Sequence, residues 1–88
     1  MAVLFTASEI PGRDVYQGVF DQVRDDLARA RGFVAHGAGP AGDGWQVVEI
    51  WQSREDAERW HEEHIRPVLP PGMEPRMEFQ ELETVLTP

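Results

Sequence analysis

The chain has 88 residues, room for one domain spanning 1–88, and a domain this short buries only about 60–65% of the surface its unfolded chain exposes. Sixteen acidic residues against eight arginines leave a net charge of −8, which repels nucleic acid and anionic membranes, so neither is expected as a partner. Cysteine, lysine and asparagine are absent, which excludes disulfides and thiolate metal sites, and no segment is apolar for long enough to span a bilayer.

In chain order, "AVLFTA" (2–7) is a short apolar run rich in strand formers, and "SEIPGR" breaks it with Pro11 and Gly12. From Asp14 to Ala30 the apolar residues Val15, Tyr16, Val19, Phe20, Val23, Leu27 and Ala30 recur at threes and fours, the signature of one helix face. Asp14 is placed to cap this helix, with Gln17 in the capping-box position, and Gly32 to end it. "GFVAHGAG" (32–39) reads as a second strand, "PAGDG" (40–44) as a hairpin turn and "WQVVEIW" (45–51) as a third strand. That third strand sets Trp45, Val47, Glu49 and Trp51 on one face and Gln46, Val48 and Ile50 on the other. Both faces are mostly apolar, so both are expected to be covered. Ser53 caps a second helix whose stripe is Ala57, Trp60, His61, His64, Ile65 and Val68. After the Pro-rich stretch "RPVLPPGMEPR", "MEFQELETVL" (77–86) supplies a last strand.

The order βαββαβ predicts an α+β, ferredoxin-like domain with an antiparallel sheet and helices on one face. The simplest cover for the other face is a second copy of the chain, so a homodimer is expected. The start, "MAVLFTASEIPGRD", lacks the basic segment and long apolar run of a secretory signal, so the expected location is the cytoplasm.

The stretch "RWHEEHIRP" (59–67) poses the question of chemistry. His61 and His64 are three apart, whereas the zinc-protease helix spaces its histidines by four, and no third ligand lies nearby, so no metal is expected. Glu62 and Glu63 fall off the stripe and face water. His64 precedes Pro67 in the last turn, where the helix dipole favours an imidazolium. His61 and His64 either fill the helix–sheet seam or line a pocket and move a proton. His36 lies among small residues that let a ligand approach; it is either a base for an acidic phenol or enol, or a histidine at a subunit interface. Glu49 shares a face with Trp45, Val47 and Trp51, where a carboxylate needs either a pocket role or an ion pair, for example with Arg59 or Arg66. The tryptophans are either core or a platform for a flat aromatic ligand.

"GFVAHGAGP…GWQVVEIWQSREDAERW…HIRPVL", from Gly32 to Leu69, resembles the antibiotic-biosynthesis-monooxygenase-like group of dimeric α/β barrel proteins. The resemblance implies a pocket between the sheet and its own helices, dimerisation through the sheets, and cofactor-independent oxidation of polyketide-type phenols or a related tailoring reaction. It implies that Tyr16, Trp51, Trp60 and Arg66 take parts like those of the tryptophan, tyrosine and arginine of the phenol-oxidising branch. The asparagine on which that branch and the haem-degrading branch rely has no counterpart here. The expected function is a monooxygenase-like enzyme with no cofactor, acting on a small aromatic or polyketide-like molecule. His36, His61 and His64 are its candidate bases, and Tyr16, Trp45, Glu49, Trp51, Trp60 and Arg66 its candidate substrate contacts. A cyclase- or isomerase-type proton transfer, and a non-catalytic ligand-binding dimer, are the alternatives.

Overall fold

The computed structural model describes residues 1–88. The elements are β1 (Val3–Ile10), α1 (Arg13–Ala28), β2 (Phe33–Ala41), β3 (Gly44–Trp51), α2 (Arg54–Trp60) and β4 (Arg76–Glu81). α2 continues without a break into a π-helical turn, His61–Ile65, and a 3₁₀ turn, Arg66–Val68. The sheet runs β2-β3-β1-β4 with every neighbour antiparallel, which is the expected ferredoxin-like arrangement.

β1 shows how the sequence builds the inner face. Val3, Phe5 and Ala7 alternate inward, as a strand period of two requires. Continued alternation would turn Ile10 outward, yet Ile10 is buried. The register slips between Ala7 and Ile10, with Glu9 at φ 61°, so a bulge returns Ile10 to the core. These residues meet Val23 and Leu27 of α1, Val47 and Trp51 of β3, and Ala57 and Trp60 of α2 in one apolar cluster.

Several boundaries differ from the sequence reading. α1 ends at Ala28 rather than at Ala30, and Gly12, not Asp14, holds its cap position without a side-chain bond. Gly32 stands at φ 83° and turns the chain into β2; a side chain there would also strike Asp56. The expected five-residue turn (40–44) contracts to Gly42–Asp43, because β2 runs through Pro40. Proline is tolerated there since β2 is an edge strand. β4 stops at Glu81 instead of reaching Leu86. Ser53 does cap α2, its Oγ accepting from the Asp56 amide at 3.1 Å. No helix is long and apolar enough to cross a membrane.

Candidate active site

β2 and β3 bring the site together. His36 and Glu49 are direct cross-strand partners, so their side chains leave the sheet on the same face, toward the helices. Glu49 is 3% exposed, and a carboxylate that deeply buried requires partners. It has three. Oε2 accepts from His36 Nδ1 at 2.7 Å, Oε1 accepts from the Trp51 indole at 2.9 Å, and His61 Nε2 lies 3.1 Å from Oε1. Burial by itself pushes the Glu49 carboxyl up. Donation from His36, the donor and charge of His61, and Trp51 outweigh that and hold it at about 2. Glu49 is therefore an ionised acceptor at neutral pH.

The tautomers follow from this. The carboxylate only accepts, so His36 Nδ1 carries hydrogen and, in the neutral ring, Nε2 offers its lone pair. Tyr16, on the first turns of α1, lies with its hydroxyl 2.7 Å from that nitrogen and donates to it. The chain Tyr16 O–H to His36 to Glu49 is thus ordered in one direction. Burial first, then the negative charge of Glu49, raises the Tyr16 phenol above its ordinary range, which keeps it a neutral donor. Tyr16 and Phe20 also stack on the His36 ring, at centroid distances of 5.9 and 5.0 Å, and fix its plane.

These groups form the polar end of an apolar cavity of about 70 Å³ between the sheet and the helices. Tyr16, His36, Glu49, Trp60 and His61 all line it. The remaining wall is aliphatic and aromatic, and includes Leu69, Met73 and Met77 from the connection and β4. The sequence reading missed this wall. Its only trace in the sequence is a set of large apolar residues inside a proline-rich segment. Trp60 is buried and its indole N–H has no acceptor within the protein.

The other candidates lie elsewhere. His64 is outside the cavity; it stacks on the far side of Trp60 at 5.2 Å, with Nδ1 3.7 Å from Asp26 in a polar surface groove. Arg66 faces solvent and pairs with Glu62 at 2.9 Å, and Arg59 pairs with Asp56 and Glu55, so neither arginine reaches Glu49. Trp51 is fully buried and acts on the site through Glu49 rather than on the cavity. Trp45 packs at 6.0 Å from the Tyr16 ring, behind the cavity wall. No cluster of three or more acidic, histidine or cysteine side chains has metal-binding geometry.

Solved structures share this fold. The cofactor-independent oxygenase SnoaB from Streptomyces nogalater superposes with a TM-score of 0.54 at 18% identity, over 97% of this chain and 92% of that one. A variant of it with one asparagine changed to alanine gives 0.60 at 15% identity, over 97% and 95%. A protein from Shewanella loihica PV-4, provisionally assigned as a monooxygenase, gives 0.61 at 18% identity, over 96% and 95%. At such identities the likeness is one of fold. No family model and no curated protein matches the chain.

Proposed function

We propose that this protein is a cofactor-independent, monooxygenase-like enzyme for a small aromatic or polyketide-like substrate bearing an acidic hydroxyl. The observation that carries the reading is the ordered chain Tyr16–His36–Glu49 at the only polar end of an apolar cavity. Tyr16 donates to His36 and keeps a lone pair for a substrate O–H. The substrate proton passes to the Tyr16 oxygen as the Tyr16 proton passes to His36 Nε2, and Glu49 stabilises the imidazolium that results. The substrate is left as an electron-rich phenolate or enolate against an apolar wall. A ring carbon conjugated with the ionised oxygen gives its electrons to dioxygen and forms a C–O bond. The peroxide takes the proton back from His36 through Tyr16, and the hydroperoxide then loses water to leave a quinone, so one oxygen atom enters the product and the other leaves as water.

The size of the cavity bounds the substrate. A benzene ring occupies a protein cavity of roughly 150 Å³, about twice the 70 Å³ present here. A ring therefore enters only as the wall gives way, and Met73 and Met77 are the residue type that yields most readily. In this reading the enzyme is a homodimer closed through the outer faces of its sheets, and it works in the cytoplasm.

The test is oxygen uptake with a panel of one- and two-ring phenols, with product followed as quinone. Turnover should need oxygen, and Tyr16→Phe and His36→Gln should each lower it by roughly 10²–10⁴ while the melting temperature stays within a few degrees. Turnover that survives both substitutions would defeat this assignment. A second reading, proton transfer alone in a cyclisation or isomerisation, is favoured by the completeness of the chain without any group aimed at oxygen. It predicts equal rates with and without air.

A further inference from the structure

Glu49 serves two histidines, and their surroundings differ. His36 has the Glu49 carboxylate on Nδ1 and, on Nε2, the Tyr16 hydroxyl, which can donate to a bare nitrogen, so a neutral ring satisfies it. His61 has an acceptor on Nδ1 and a carboxylate within ion-pair distance of Nε2. Its Nδ1 is 2.7 Å from the carbonyl oxygen of Ala57, which cannot donate, and its Nε2 is 3.1 Å from Glu49 Oε1. A neutral ring with hydrogen on Nδ1 would leave its bare Nε2 3.1 Å from a carboxylate in a buried site. Only the doubly protonated ring satisfies both neighbours. The rest of its surroundings hold the ring still: Phe5 of β1 lies against it at 4.2 Å, and Trp60 meets it edge-on at 5.2 Å.

We propose that His61 is a resident imidazolium and a positioning residue: it neutralises one side of Glu49 and thereby sets the basicity of His36, without itself taking the substrate proton. The role in catalysis rests on the function proposed above; the charge arrangement does not. A carboxylate backing one histidine alone would make that histidine a strong base. Here the charge of Glu49 is shared with His61 and Trp51, so His36 is weakened toward acidic O–H substrates and returns its proton readily. At rest the pair Glu49–His61 is neutral. Once His36 has taken a proton, the cluster carries one positive charge, which faces the substrate anion across the cavity. The other groups that face His36 come from α1: the Tyr16 hydroxyl, the Phe20 ring, and Arg24 and Asp25 at the rim of the same groove.

The experiment is ¹⁵N NMR of histidine-labelled full-length protein near pH 7, with no substrate added. His61 should show two protonated ring nitrogens, and His36 one protonated and one bare. A bare nitrogen on His61 would overturn the proposal. His61→Gln keeps a donor toward Glu49 and removes the charge. In that variant the pH midpoint at which His36 gains its second proton should rise, because a neighbouring positive charge is gone, a readout that a purely packing role for His61 would not move. An unmoved midpoint would equally overturn the idea. The wild-type spectrum decides the matter even where the variant fails to fold, and neither readout needs turnover. Failure of the oxygenase assay therefore leaves this test intact.

Discussion

The residues that matter most here are those whose burial has to be compensated. Glu49 is held at about 2, below its ordinary 4.5, by partners that bind only its charged form. Its stabilising contribution is therefore complete above about pH 4.5 and is lost as the pH falls toward 2. A displacement of that size is worth roughly 3 kcal/mol. Melting temperatures measured from pH 5 to pH 2 should fall steeply for the wild type. For Glu49→Gln the fall across that window should be much shallower, because an amide has no such titration. Trp60 belongs to the same scale. It is 6% exposed and packs on Trp51, His61 and His64, so Trp60→Ala should cost about 3–5 kcal/mol in urea unfolding.

At the scale of elements, α2 and the turns that follow it decide which side chains reach the cavity. α2 proper is only seven residues, so its entry matters. Replacing Ser53 by alanine removes the one side-chain cap on its free amides and should cost about 1 kcal/mol, measured by the same unfolding. The π turn has a larger consequence. A regular helix would carry His61, His64 and Ile65 on one stripe. Bonds of the i→i+5 kind, such as Arg66 N–H to His61 O, unwind that stripe. Ile65 then follows His61 into the cavity, and His64 swings out toward Asp26. Gly32 is the matching constraint on the other side. Its left-handed backbone and its closeness to Asp56 leave no space for a side chain. Gly32→Ala should therefore destabilise by about 1–3 kcal/mol, seen as a lower urea midpoint.

For the molecule as a whole, the sheet has helices on one face only. The opposite face presents Leu4, Thr6, Val48 and Ile50, with Val48 37% exposed, and beside them the small residues Ala35 and Gly37, which permit close approach. Ten buried apolar residues are a small core for 88. Sheet-to-sheet packing through this face would add the missing burial. Sedimentation at micromolar concentration should give twice the monomer mass. Val48→Arg, which sets a charge on that face, should shift the protein to monomer with a lower melting temperature. A folded monomer for the wild type would rule the arrangement out.

The sequence alone determined the order of elements and the ferredoxin-like fold, because hydrophobic periodicity and breakers such as Pro11, Gly32 and Ser53 are local signals. It also marked Glu49 and His36 as residues out of keeping with their strands, and Tyr16 as part of the helix face that meets them. What joins these three is the register of β2 against β3, which pairs His36 with Glu49 across the sheet. A one-residue slip would turn His36 to the other face, and what prevents it is the two-residue turn Gly42–Asp43, which sets Ala41 opposite Gly44, where the sequence suggested a turn of five residues. The choice among the histidines was likewise tertiary. Spacing put His61 and His64 on one stripe, and the π turn separated them, since an added residue in a turn is a compromise with packing rather than a preference of the sequence. Glu49 drew its partners from two histidines and a tryptophan instead of an arginine for the same kind of reason. Only side chains already leaving the inner face can reach a carboxylate at the centre of the sheet, while Arg59 and Arg66 lie on the solvent side of their helix and pair there.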